Sequence, residues 1–195
     1  CAGLLWEYWG LVRRMTQQVV ARAAWMAGGV LYIGAAGASL IVMPPSLRWL
    51  IILAVIAVDT GAYFSGRRFG ERKIAPAISP SKTWAGLYGG MAGAALVLTG
   101  AWLLTAWALS ALAPNRASVL DIIGHYPLAL LAAILFGCLL AILAQAGDFF
   151  ESWMKRRAGV KDSGALIPGH GGLFDRVDGL IPVAIAAGIV SSVWA

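Results

Sequence analysis

Long apolar runs alternate with two polar passages along this chain. Five runs stand out: 20–43, closed by Pro44 and Pro45; 47–65; 84–111; 126–147; and 180–195. A helix needs about 20 mainly apolar residues to cross the hydrocarbon core. The pattern therefore predicts an all-α, polytopic integral membrane protein with about five transmembrane helices. The fifth run has only sixteen residues, so it is expected to be short or cut. Residues 1–18 read as the end of a span or as an interfacial piece. The whole of 1–195 is expected to form one membrane-embedded domain, with residues 59–86 and 145–179 as its polar, catalytic segments.

Composition strengthens this reading. Of 195 residues, 60% are hydrophobic and 12% charged, and the mean hydropathy is +0.79. A soluble domain is nearer half apolar and a quarter charged. Nine Trp suit the headgroup level, where amphipathic rings sit. The chain opens on Cys1 rather than Met, as a fragment would, and residues 1–18 lack the order of a signal peptide. Its two cysteines, Cys1 and Cys138, cannot build a disulfide framework, and Cys138 reads as a small buried hydrophobe.

Charge sets the orientation. Placing 1–22, 66–83 and 148–178 on one side collects thirteen of the fifteen Lys and Arg there; only Arg48 and Arg116 fall on the other. That side is then cytoplasmic. The net charge of +6 is accounted for by cations meeting anionic lipid, so no nucleic-acid partner is expected. The 24 glycines are spread through the spans, where small residues let helices approach closely.

The polar passages carry the candidate chemistry. The first, "DTGAYFSGRRFGERKIAPAISPSKTWAG" (59–86), contains Asp59 inside an apolar run, where a carboxylate needs a partner or water. It also contains "SPSKT", with Ser81 and Lys82; hydroxyls, backbone N–H groups and a lysine suit a phosphate. In the second passage, Asp148, Glu151, Ser152, Lys155 and Arg156 share a helix face at i, i+3 and i+4 spacing. Lys161 and Asp162 follow. After the turn "PGHGG", with His170, Gly171 and Gly172, come Asp175, Arg176 and Asp178. The turn can bring Asp148 and Asp175 together. Such carboxylates suit one or two Mg²⁺ ions completed by substrate phosphates, and the interleaved cations suit the phosphates themselves. His125 reads as surface.

The stretch "SWMKRRAGVKDSGALIPGHGGLFDRVD" (152–178) resembles the signature of the phosphatidate cytidylyltransferases, or CDP-diacylglycerol synthases. Ser152, Lys155, Arg156, Lys161, Asp162, Pro168, His170, Gly171, Gly172, Asp175, Arg176 and Asp178 fill its fixed positions. "DTGAYFSGRRFG" and "ISPSKTWAG" resemble the family too, with one departure: Ala85, where members often carry Glu. The resemblance covers roughly 20–195, and members usually have further N-terminal spans.

It implies transfer of a cytidylyl group from CTP to phosphatidate, giving CDP-diacylglycerol and pyrophosphate, with Mg²⁺, at the cytoplasmic face of what would be a bacterial inner membrane. Asp148 and Asp175 would hold the metal. Lys155, Arg156, Lys161 and Arg176 would bind phosphate oxygens, Ser81 and Lys82 would form the opposite wall, and Asp162, His170 and Asp178 would orient these groups, with Ser152, Gly171 and Gly172 beside them. CTP, phosphatidate and membrane lipid are the expected partners, with room left for a homodimer. The alternatives are a CTP-dependent lipid-alcohol kinase, which would release CDP, and a transporter, which would carry mid-membrane charge and internal repeats. No P-loop and no zinc spacing occurs.

Overall fold

The computed structural model of the chain describes residues 1–112, 118–169 and 171–193. Their order is α1 (Ala2–Met15), α2 (Val19–Val42), α3 (Pro45–Phe69), β1 (Lys73–Ala75), β2 (Ser79–Thr83), α4 (Trp84–Leu112), α5 (Val119–His125), α6 (Pro127–Ala158), α7 (Phe174–Val177) and α8 (Leu180–Val193). Prolines punctuate the helices. Pro44 stops α2, while Pro45 and Pro127 open α3 and α6, where the missing N–H is no loss. Ser118 starts α5 through a capping box with Asp121.

Four helices, α2, α3, α4 and α6, are long and apolar enough to cross a membrane. Helix α8 is apolar but has 14 residues, a rise of about 21 Å against a hydrocarbon core of about 30 Å. The protein is thus an all-α polytopic membrane protein, with four spanning-length helices and a shorter apolar one among the described residues. Two features were not expected. The "SPSKT" stretch is extended rather than loop, and pairs with β1 in a two-stranded sheet. Helix α1, Ala2–Met15, packs into a core, burying Glu7, Tyr8, Leu11 and Val12. The placement of Arg116 and the role of His170 lie outside the described residues.

The contacts divide the chain into two compact units. The first comprises Cys1–Ile51, Lys73–Lys82 and Leu143–Ala195. Its core joins Tyr8, Leu11, Val12, Ile33, Ala36, Met154, Phe174, Ile181 and Ala184. Tyr8 is the hinge of this core. Its ring meets Phe174 edge to face at 6.0 Å, its hydroxyl donates to the Trp25 carbonyl at 3.0 Å, and its flank fills the space that a side chain at Gly29 would need. Helix α8 lies along α2, with Gly188 against Ser39.

The second unit comprises Ile52–Arg72 and Thr83–Ile142. Here α3 and α4 meet backbone to backbone. Gly61 faces Gly89, Gly66 faces Gly86, and Gly93 faces the Ala57 carbonyl. Gly137 of α6 seats against Ala94 and Ala95 of α4 in the same way. Membrane helices lack a hydrophobic force between them, so close van der Waals contact through small residues holds them together. The glycines read from sequence as packing residues do that here.

Gly93 supplies a test. A leucine there would run into the Ala57 carbonyl and force α3 from α4, at a cost of about 1–3 kcal/mol or more. Gly93→Leu should lower the thermal unfolding midpoint in detergent. Gly100→Ala, on the same helix with nothing within 4 Å of its added carbon, should leave the midpoint unchanged or raise it slightly.

Candidate active site

Helix α6 continues past its apolar run into the sequence DFFESWMKRRA. Asp148, Glu151, Ser152 and Lys155 recur at three- and four-residue steps, so they project from one side of its last turns. Lys155 and Arg156 also stand in the final turn, where cations favour the negative end of the helix dipole.

A cleft of about 340 Å³ opens along this side. It is lined by Ser79, Pro80, Ser81 and Lys82 from the β-hairpin, by Asp148, Ser152, Lys155 and Arg156 from α6, and by Lys161 and Asp162 beyond the helix end. All belong to the first unit. Two ties hold the hairpin to the helix: Lys82 pairs with Asp148, and the Arg156 guanidinium donates to the Ile78 carbonyl at 3.3 Å. Four cations, two carboxylates and three hydroxyls thus surround one space. Charge-assisted donors on opposite walls are what a polyphosphate needs.

Behind this wall lies a second, more buried cluster. The Lys155 ammonium stands 2.6 Å from Glu151 and 2.6 Å from Asp175. Glu151 is only 1% exposed. Asp175, at the start of α7, also accepts from the Ser163 amide, the Ser163 hydroxyl and the Gly172 amide, each at 2.9 Å. Burial works to raise the Asp175 carboxyl, but its hydrogen bonds with Glu151, Lys155 and Ser163 outweigh this and hold it well below the usual carboxylate range. Gly171 turns the chain here with φ of 83°, a conformation that costs glycine little, and its carbonyl accepts from Ile167 at 3.1 Å.

Eight of the residues singled out from sequence therefore line one cleft: Ser81, Lys82, Asp148, Ser152, Lys155, Arg156, Lys161 and Asp162. Asp175 sits one contact behind it, through Lys155, and Gly172 sits behind Asp175. Arg176 is exposed on α7 and Asp178 caps that helix, accepting from the Gly179 amide at 2.8 Å; neither lines the cleft. The Asp178 carbonyl lies against α6 at Gly147. Asp59 belongs to α3 in the second unit and is exposed there. Ser79, Ser163 and Glu7 were not singled out. Ser79 and Ser163 lie inside passages already quoted, beside stronger candidates. Glu7 carried a weak signal of its own, being the lone carboxylate in "AGLLWEYWGLV".

Mg²⁺ can be tested against the donor set. Among the described residues no group of three or more His, Cys, Asp or Glu is poised for a metal. Mg²⁺ does not require one, because it keeps waters and takes phosphate oxygens as ligands, using one or two carboxylates from the protein. Asp148 and Asp162 face the cleft and Asp175 adjoins it, all oxygen donors, so the residues present fit the ion.

Residues 4–194 match the model of the cytidylyltransferase family. The chain belongs to this family. It is 38% identical over 177 residues to a phosphatidate cytidylyltransferase of Brucella melitensis, covering 88% of this chain and 58% of that protein. It is 42% identical over 130 residues to one of Haemophilus influenzae, covering 67% and 40%, and 39% identical over 148 residues to one of Pseudomonas aeruginosa, covering 73% and 48%. The chain thus spans about half the length of these relatives. In this member of the cytidylyltransferase family, the cleft-lining cations and carboxylates come from two segments far apart in sequence, the hairpin and the stretch from the end of α6 to Asp162.

Lys155 is the link between the cleft and the buried cluster. Lys155→Met should leave Asp175 without its counter-charge and destabilise the protein by about 3 kcal/mol. Adding Asp175→Asn, which removes the stranded charge, should recover part of that loss. Thermal unfolding of the single and double variants in detergent would measure both, and equal midpoints for wild type and Lys155→Met would contradict the role given to the ion pair.

Proposed function

We propose that this protein, in its full-length form, transfers the cytidylyl group of CTP to phosphatidate, giving CDP-diacylglycerol and pyrophosphate. The observation that carries the reading is the cleft itself, where Lys82, Lys155, Arg156 and Lys161 surround a space also lined by Asp148 and Asp162. A triphosphate needs that many cations, and the family membership and the names of the relatives supply the nucleotide and the lipid. A phosphatidate oxygen attacks the α-phosphorus, the new P–O bond forms, and the bond to the bridging oxygen breaks as pyrophosphate leaves. The nucleophile is already an anion, so no strong base is needed, and the protein's part is positioning and charge neutralisation.

In this reading Ser81 and Lys82 hold one side of the triphosphate and Arg156 and Lys161 the other. Lys155 serves the phosphates from the α6 side, and Asp162 and His170 orient the cations; Arg176 and Asp178, which lie outside the cleft, take no part in holding the triphosphate in this reading. Asp148 and Asp175 would hold Mg²⁺, which when bound adds charge neutralisation at the phosphates. For an ion to use Asp175, the Lys155 ammonium has to give up its contact with that carboxylate. The cations of both polar passages argue for a cytoplasmic cleft, in a bacterial inner membrane, where soluble CTP and a leaflet-bound lipid meet.

The direct test is full-length protein in mixed micelles with labelled CTP and phosphatidate. CDP-diacylglycerol and pyrophosphate are expected, and chelation of Mg²⁺ should stop their formation. Release of CDP with a phosphorylated lipid would point instead to a lipid kinase. Asp148→Asn should lower turnover by about a thousandfold or more, the scale set by losing a group that stabilises transition-state charge, while the protein stays in the membrane. Arg156→Ala and Lys161→Ala should act mainly through the KM for CTP.

A further inference from the structure

Glu7 lies on α1, 156 residues from Ser163 and 167 from Phe174. It is 3% exposed. Its Oε2 accepts from the Phe174 amide at 2.8 Å and from the Ser163 hydroxyl at 3.2 Å. Among the described residues its Oε1 has no hydrogen-bond partner. Two glycines of the loop make room for it: a side chain at Gly164 would strike the Glu7 carboxyl, and one at Gly172 would strike Ser163, with Asp175 and Glu7 at 2.8 Å. The next residue, Tyr8, packs on Phe174. An isolated carboxylate is costly to bury, yet this one is enclosed against the loop that carries Asp175.

The Ser163 hydroxyl has one proton and two acceptors within reach, Asp175 at 2.9 Å and Glu7 at 3.2 Å. It can donate to only one at a time. We propose that Glu7 is a positioning residue for the reaction: it clamps the Ser163–Phe174 loop and offers the Ser163 hydroxyl a second acceptor, so that this hydroxyl keeps a partner as Asp175 turns towards a ligand in the cleft and only the Ser163 and Gly172 amides are given up. An unmade buried hydrogen bond is expensive, so without Glu7 that turn is opposed. This inference rests on the cytidylyltransferase reading, in which Asp175 serves the cleft.

The test compares Glu7→Gln, Glu7→Asp and Glu7→Ala in the full-length protein. Glutamine keeps the reach and one acceptor oxygen, and its amide nitrogen falls where Oε1 already lacks a partner. Aspartate keeps the charge and loses the reach. Glu7→Gln should keep kcat within about threefold of wild type, while Glu7→Asp and Glu7→Ala lower it about tenfold or more with the KM for CTP changed less than about twofold. The split is expected because Lys82 and Arg156, tied to Asp148 and to the Ile78 carbonyl, hold CTP apart from the Ser163 loop, whereas a general loss of structure would lower the active fraction in all assays.

Hydrogen exchange across 163–175 should quicken in Glu7→Asp and match wild type in Glu7→Gln. If Glu7→Ala does not fold, the Gln–Asp comparison decides. Wild-type kcat in Glu7→Asp, or equal losses in Gln and Asp, would overturn the proposal. If the wild type makes no CDP-diacylglycerol, the functional reading fails instead, and unchanged exchange in Glu7→Asp would still overturn the clamp.

Discussion

The first unit depends on one ammonium group placed between two acids. Lys155 stands 2.6 Å from Glu151 on its own helix and 2.6 Å from Asp175 on the far side of a glycine-rich turn. Glu151 is too buried to stand alone as an anion, and Asp175 begins a four-residue helix that could not hold its place by hydrogen bonds within itself. The ammonium ties both to α6, and its own side chain forms part of the cleft wall. Any ligand that draws Lys155 towards the cleft therefore acts on the buried cluster as well.

This arrangement explains how a helix end comes to carry chemistry. Apolar side chains hold α6 through most of its length, and its last turns then emerge with Asp148, Ser152, Lys155 and Arg156 on one side. The helix is rigid, so these groups keep their spacing. The loop after it is flexible by composition but is tied down at Ser163, Gly172 and Asp175. A site built on a rigid element and closed by a pinned loop meets the demand that positioning places on catalysis.

Much of this was legible in the sequence because the relevant signals are local. Runs of apolar residues mark spanning helices whatever their neighbours, and i, i+3, i+4 spacing puts Asp148, Ser152 and Lys155 together without any tertiary knowledge. The resemblance in 152–178 named the loop residues. What stayed hidden depends on partners distant in the chain. Glu7 looks like an isolated acid until Ser163 and Phe174 arrive beside it. "SPSKT" contains a proline and polar residues that read as loop, and becomes a strand because β1 offers it a partner. Asp148 was expected to face Asp175, but no local pattern could show that Lys82 would reach it from the hairpin.

The two ties between hairpin and helix have a metric consequence. Ile78, the turn residue just before β2, and Lys82 are four residues apart, about 13 Å on a fully extended chain. Asp148 and Arg156 are eight apart on a helix, about 12 Å. Ile78 meets Arg156 and Lys82 meets Asp148, so strand and helix run in opposite directions as rails of nearly equal gauge. Deleting or inserting a single residue between Ile78 and Lys82 would put the two rails out of step by about 3.3 Å, and only one of the two fastenings could then close. Length in this short segment is therefore constrained as well as the identity of its side chains.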